Sequence, residues 1–281
     1  MSIQCSTSAL GVDAGASICK IAAWRDGELL TETVPAGSTA AAVACVTRLL
    51  PERIVATGGG ATALIDALAR EPAPVPRPRS VSEFEAWGRG APELARREGL
   101  ALHDAYLLVS LGTGTSVLRI DPSGAIERVG GTALGGGALL GLSELLLGVA
   151  SFDALTELAA AGDRRRVDLL VEDIYAGAAP PLAGKLNAAS FAKRASRAPA
   201  DLAHALIGLV GENVGLICCH LAALHGVEDI LFCGSTLSQN PPLRQVLSDV
   251  SRRLGRRAHF LARGAFCGAV GAAVMADRLA S

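Results

Sequence analysis

The sequence predicts an α/β protein built from two related halves, and three observations carry that expectation. Leu10-Gly11-Val12-Asp13-Ala14-Gly15-Ala16-Ser17 followed by Ile18 to Trp24 reads as strand, glycine turn, strand. Tyr106 to Val109, the small-residue turn Ser110 to Ser116, and Val117 to Ile120 repeat the same plan. Each of these meanders continues into alternating helix and strand patterns. With 281 residues, 50% hydrophobic and 19% charged, the chain has enough apolar material for two modest cores.

In the first half, Arg25-Asp26-Gly27-Glu28 turns the chain into a third strand, Leu29 to Val34. A helix is expected from about Thr39 to Leu50, a strand from Arg53 to Thr57 ending in Gly58-Gly59-Gly60, and a helix from Ala61 to Arg70. Pro72, Pro74, Pro76 and Pro78 exclude regular structure between Glu71 and Pro78. Ser82 and Glu85 have capping-box spacing, so a helix is expected from Glu83 to about Gly99. No low-complexity linker follows, and the seam between halves is expected near Gly99 to Asp104.

In the second half, Asp121-Pro122-Ser123-Gly124 turns the chain into a third strand, and Gly135-Gly136-Gly137 opens a helix whose regular part is Leu139 to Leu147. Helices are expected at Phe152 to Ala161, capped by Ser151, and at Arg165 to Tyr175, stopped by Gly177 and Pro180-Pro181. Ala188 to Ser196 and Asp201 to His225 also read as helical. A strand at Ile230 to Cys233, a helix at Pro242 to Leu254, a strand at Ala258 to Leu261 and a helix at Cys267 to Leu279 complete the chain.

Composition excludes several classes. The net charge is −1 and the only basic run is Arg164-Arg165-Arg166, too little for a nucleic-acid surface. The start MSIQCSTSALG lacks the basic and apolar regions of a signal peptide. The long apolar segment Leu202 to Leu224 carries Glu212, Asn213 and His220, which favours a core or interface helix over a membrane span. Seven cysteines with irregular spacing and no C-x-x-C pair argue against a disulfide framework or a zinc or iron–sulfur site. Small buried thiols in a reducing cytoplasm are the economical reading.

Glycine-rich turns at strand ends and helix starts let backbone N–H groups approach an anion, although they also suit plain hairpins. Asp13, at the tip of the first strand, could hold a magnesium ion or simply close an Asx turn. Lys20 on the partner strand is within reach of a phosphate at that turn. Glu83 and Glu85 stand in the first turn of a helix, where glutamates usually serve the helix dipole. Arg128 reads on its own as a rim residue. Gly234 to Pro241 is a polar loop at a strand end, the usual ligand position in open α/β sheets. None of the five histidines joins a recognisable nucleophile motif.

Together these stretches resemble one family. GVDAGASICKIA, TGGGA, SEFEAWGRG, SLGTGTSV, ERVGGTALGGGALLGL, SFDALTELAAAGD, DIYAG, GENVG, LFCGSTLSQNPPLR and GAFCGAVGA run in order from residue 11 to residue 273. They resemble the type II and the related eukaryotic pantothenate kinases, within the actin-like ATPase and sugar-kinase superfamily. Two departures stand out: Ala16-Ser17 replaces the usual Gly-Thr, and Thr132-Ala133-Leu134-Gly135 is closer to the eukaryotic form.

The resemblance implies two ribonuclease-H-like lobes, residues 1–103 and 104–281, with the last helix able to return to the N-terminal lobe. It implies ATP and Mg2+ as cofactors and phosphorylation of pantothenate. Glu83 would be the catalytic base, Asp13 would organise the metal, and Lys20 would neutralise the transferring group. Gly15, Ala16, Ser17, Lys20, Thr113, Gly135, Gly136, Gly137, Ala138 and Leu139 would line the phosphates, with Phe152 and Ser235 nearer the nucleoside. Thr113, Ser116 and Arg128 would contact pantothenate or the pantetheine arm of an inhibitory acyl-CoA. A homodimer through the Asp201–His225 helix is expected, since Gly208, Gly211 and Gly215 leave small-residue faces on it. The alternatives are an amino-sugar kinase or an activator ATPase of the same superfamily. Cys218 and Cys219, about 100° apart on a helix, do not suit the activators' cluster-binding role.

Overall fold

The computed structural model describes residues 7–25, 27–72, 75–102, 104–175 and 186–280. Its first half opens with β1 (Thr7–Ala14), β2 (Ile18–Arg25) and β3 (Glu28–Pro35), then α1 (Thr39–Leu49), β4 (Pro51–Thr57), α2 (Ala61–Leu68), the short β5 (Arg79–Ser80) and α3 (Glu83–Arg97). The second half repeats the plan with β6 (Tyr106–Leu111), β7 (Thr115–Ile120), β8 (Ile126–Thr132), α4 (Gly136–Leu147) and α5 (Phe152–Ala160). An excursion follows: β9 (Leu169–Leu170), α6 (Val171–Tyr175) and β10 (Asn187–Ala189). The chain closes with α7 (Pro199–Leu224), β11 (Asp229–Cys233), α8 (Pro241–Arg253), β12 (Arg257–Phe260) and α9 (Cys267–Asp277).

The two five-stranded sheets have equivalent orders, β3-β2-β1-β4-β5 and β12-β11-β6-β7-β8. In each, the meander is antiparallel and the later strands join in parallel. Helices α1 and α2 cover the outer face of the first sheet. Helices α5, α7 and α8 cover the outer face of the second. Between the sheets, α3 and α9 share a core with Ala22 and Leu29 on one side and Leu108, Leu118 and Leu231 on the other. The last helix is therefore seated beneath the first sheet, against β1, β2 and β4.

Four sequence expectations are corrected. Arg165 to Tyr175 is not one helix, because a 3-10 turn at Arg164–Arg166 leads into β9 before α6 starts. Ala188 to Ser196 is not helical but forms β10 and an irregular return. The reason is long-range: Val167 O accepts from the backbone N–H groups of Lys193 (3.0 Å) and Arg194 (3.2 Å), and Asp168 accepts from Phe191 N at 2.9 Å. The expected stop at Gly177 and Pro180-Pro181 lies outside the described residues. The central turn is shorter than expected, since β6 and β7 extend to leave only Gly112–Gly114 between them.

The fourth correction concerns α7. It is long and apolar enough to cross a bilayer, yet it runs through the core of the second half. Its glycines do not offer a free face. Gly211 lies against Leu243 and Val246, Gly215 against Val250, and Gly208 beneath the Arg164 side chain. That arginine also pairs with Glu212. The large apolar side chains that α7 leaves exposed are Leu216 and, at its end, Leu224. The six described cysteines are free and buried.

Candidate active site

The two meander turns face each other across the gap between the sheets. In β1 and β2 the antiparallel register sets Asp13 opposite Lys20, so both side chains leave the same face. Their charged atoms are 3.9 Å apart. Asp13 is only 4% exposed, and its Oδ1 has no hydrogen-bond partner. Burial pushes the Asp13 carboxyl above its ordinary value, with Lys20 opposing the shift. The start of α9 closes this corner: a Cβ on Gly268 would stand 2.6 Å from Asp13 Oδ2 and 3.1 Å from Trp87 Nε1. Only glycine lets the helix begin so near the carboxylate.

Helix α3 delivers the next carboxylate. Ser82 adopts an extended backbone and accepts from Glu85 N at 3.1 Å, which fixes the first turn. Glu83 then points into the gap, half-buried, while Glu85 is exposed and turned away from it. Burial raises the Glu83 pKa first, the Asp13 charge raises it further, and Lys20 opposes both. The axial position of α3 is set by close backbone contact with α9 at Gly90 and Gly271.

From the second half, β7 brings Ser116 and β8 brings Arg128. The β7–β8 register slips between Val117 and Leu118, so that Arg128 pairs with Leu118 and Gly130 with Val117. Such a bulge re-aims a side chain. Here it turns Arg128 toward α3, with its guanidinium carbon 5.8 Å from the Phe84 ring centre and Nη2 passing over Gly131. The entrance to α4 braces the central turn: Gly136 N donates to Gly112 O at 2.8 Å and Gly137 N to Thr113 O at 2.9 Å. Thr236 Oγ1 donates to the same Gly112 carbonyl. Across the gap, the Ser17 and Thr113 hydroxyls are hydrogen-bonded at 3.1 Å.

Two cavities, of about 660 and 580 Å³, open on either side of that bridge. The first gathers Asp13, Gly15, Ala16, Ser17, Lys20, Glu83, Thr113, Ser116, Arg128 and Ser235. The second is lined by Ser17, Lys20, Thr113, Gly136, Gly137, Phe152 and Ser235. They share Ser17, Lys20, Thr113 and Ser235 and so form one continuous cleft. Three expected residues line neither cavity. Gly135 packs α4 onto the Thr113–Gly114 backbone, Ala138 is half-buried outside both cavities, and Leu139 is a fully buried core side chain. The amides of Gly136 and Gly137 are likewise already donated within the protein, so this helix start is not the open anion cradle its glycines suggest.

The cleft also contains residues absent from the sequence-based expectation. Trp87 lines the first cavity, and the signal for it was its i+4 spacing from Glu83. Gln239, held at φ 50°, and Phe266 line the second. Gln239 belongs to the polar loop after β11, but nothing in the local pattern singles out Phe266. Among the described residues no three His, Cys, Asp or Glu side chains converge as a metal cage. The donor set instead suits a hard cation held by one carboxylate and by a phosphorylated ligand, and the unpartnered Asp13 Oδ1 is the atom available for it.

Two sheets of equivalent order, with a cleft at the tips of their meanders, define the α/β fold of actin-like ATPases and sugar kinases. Component A of the (R)-2-hydroxyglutaryl-CoA dehydratase of Acidaminococcus fermentans superposes with a TM-score of 0.66 at 20% identity, covering 98% of this chain and 99% of its own. A ROK family glucokinase from Streptomyces griseus, in complex with glucose and AMPPNP, gives 0.62 at 17% identity, covering 96% and 99%. The family model described as Fumble matches residues 96–275. A type II pantothenate kinase of Staphylococcus haemolyticus is 32% identical over 268 residues, covering 94% of this chain and 98% of its own. The chain belongs to the type II pantothenate kinase family.

Proposed function

We propose that this protein transfers the γ-phosphoryl group of ATP to the terminal hydroxyl of pantothenate, giving 4'-phosphopantothenate, the first step of coenzyme A synthesis. The observation that carries this reading is the convergence of Glu83, Asp13, Lys20 and Arg128 on one cavity that continues into a second. The first takes the acceptor and the second takes the nucleoside, beside Phe152 and Ser235. Glu83 accepts the hydroxyl proton as oxygen attacks the γ-phosphorus, and ADP leaves. Its raised pKa suits a base that gains and returns a proton. Lys20, shared by both cavities, balances charge on the transferring group. Mg2+ held by Asp13 and the phosphates would supply further neutralisation. Thr113, Ser116 and Arg128 hold the acceptor, with Arg128 on its carboxylate.

Acyl-CoA, which carries the pantothenate skeleton, would compete for the same cavity. The free thiols favour a reducing cytoplasm. The protein would act as a homodimer, and the support for this is the exposed leucines Leu145 and Leu146 on α4 and Leu216 and Leu224 on α7. The test of function is ATP consumption with and without pantothenate, with the product identified by mass. ADP formation that pantothenate leaves unchanged, with no product 80 Da heavier (the mass a phosphoryl group adds, roughly), overturns the proposal.

A further inference from the structure

We propose that Trp87 determines acceptor specificity, its indole forming the wall against which the branched apolar body of a neopentyl-type alcohol rests. This rests on the acceptor assignment above and deepens it. Trp87 follows Glu83 by one helical turn, and both line the first cavity. Residues so spaced have Cβ atoms roughly 5–6 Å apart. In pantothenate the hydroxyl-bearing carbon is bonded to a quaternary carbon with two methyl groups. With the hydroxyl at Glu83, those methyls fall at the next turn of α3, which is Trp87.

The ring's orientation is fixed on two sides. Its Nε1 edge lies beside the start of α9, where a Cβ added at Gly268 would stand 3.1 Å from it. Its flank packs on Phe84, with ring centres 5.8 Å apart at 58°, and Phe84 in turn carries the Arg128 guanidinium. The indole thus stands between the start of α9 and Phe84, and its ring lines the cavity. The base, this wall and Arg128 line one cavity, as the hydroxyl, dimethyl carbon and carboxylate belong to one pantothenate. A polyhydroxylated acceptor would set a hydroxyl against the indole without a partner, which disfavours it.

The sequence holds two tryptophans, Trp24 and Trp87, and Trp24 stacks under Arg97 outside the cleft. In a Trp24→Phe protein, pantothenate without ATP should therefore change the remaining emission saturably. Kinetically, Trp87→Ala should raise the pantothenate KM about tenfold or more while the ATP KM stays within about twofold. The wild type should prefer pantothenate over the analogue lacking both methyls by about 10²-fold in kcat/KM, and Trp87→Ala should largely abolish that preference. Trp87→Phe, which keeps an aromatic wall, should restore most of it. Trp87 is not the determinant if the wild type uses the two acceptors equally, or if Trp87→Ala still discriminates. The same holds if calorimetry detects pantothenate binding that leaves Trp87 emission unchanged. A wild type that binds and phosphorylates no pantothenate overturns the parent reading, and this assignment with it.

Discussion

Replacing Gly90 by Ala should both destabilise the protein and impair catalysis. The added Cβ would be driven onto Cys267 O and stand 2.7 Å from Gly271 N. Both are backbone atoms of α9, so no side chain can rotate away. The two helices would have to part by roughly 1 Å, and overpacking of this kind costs about 1–3 kcal/mol, with backbone obstacles at the upper end. The gain from alanine over glycine inside a helix is only about 1 kcal/mol and does not offset that. A net loss of about 2 kcal/mol is a large share of a stability of roughly 5–15 kcal/mol. At about 2–4 °C per kcal/mol, melting should fall by roughly 4–8 °C. Catalysis suffers separately, because α3 carries Glu83 and the start of α9 abuts Asp13. A displacement of about 1 Å between such groups can lower the rate about 10²-fold. Thermal melting and steady-state kinetics well below the lowered Tm measure both effects. Gly141→Ala on α4, where nothing lies within 4 Å of an added Cβ, is the control and should hold or raise Tm. A Gly90→Ala protein that melts within about 2 °C of wild type, or a control that loses as much, refutes the reasoning.

Glu83→Gln should lower kcat by about 10² while both substrates still bind, and Glu85→Gln should behave as wild type. Because Glu83 works unprotonated and its pKa is raised, the wild-type rate should decline as pH falls through a value above the usual glutamate range. Glu83→Gln should lose that limb, and an unaltered pH profile would exclude Glu83 as the base. Arg128→Ala should raise the pantothenate KM by about tenfold, the low end for a charge-assisted bond because Arg128 is exposed, and leave the ATP KM unchanged. Equal losses for both substrates would point to a structural role. The raised Asp13 pKa means that its protonated form favours the fold below the unfolded value, and that this contribution is lost as pH rises through the folded value. Asp13→Asn should therefore raise Tm at pH 7, with the gain vanishing below about pH 4, while activity is lost. A lower Tm at pH 7 would mean that the Lys20 pairing outweighs burial. Sedimentation at micromolar concentration should give twice the chain mass, and Leu224→Glu should shift it toward monomer. A monomeric, fully active wild type would exclude the dimer.

The chain discloses its meanders because they are local, with strand, glycine turn and strand following one another over Thr7–Arg25 and again over Tyr106–Ile120. The Ser82 cap is legible for the same reason, whereas Glu83 on its own reads as a partner of the helix dipole and is singled out only by the family resemblance. What was hidden depends on distant partners. The segment from Arg165 to Leu170 carries an acceptable helical pattern, but contacts of Val167 and Asp168 with Phe191, Lys193 and Arg194 override it before α6 begins. Glycines mislead in the same way. Those at the α4 entrance look like a free phosphate cradle until the carbonyls of Gly112 and Thr113 claim their amides. Those of α7 look like a docking stripe until α8 and Arg164 fill it. Trp87 lies within a helix the sequence predicts, yet its importance emerges only when α3 is seated at the cleft and Gly268 of α9 approaches its nitrogen.

The seating of α9 beneath the first sheet has a consequence for synthesis of the chain. Domains generally fold N-terminal first as they leave the ribosome. Here a nascent chain that has exposed everything before Cys267 has all of β1 to β4 and α3 in hand, but lacks the helix that packs directly on the inner face at Gly11. Asp13 at that stage sits at a wet, open edge without the helix start that encloses it. The first-made half is thus finished by almost the last-made segment. Contacts spanning nearly the whole sequence make assembly slow. A ribosome stalled shortly before α9 would hold a chain with a folded second-half core and an incomplete catalytic corner, ready to close once the final helix is released.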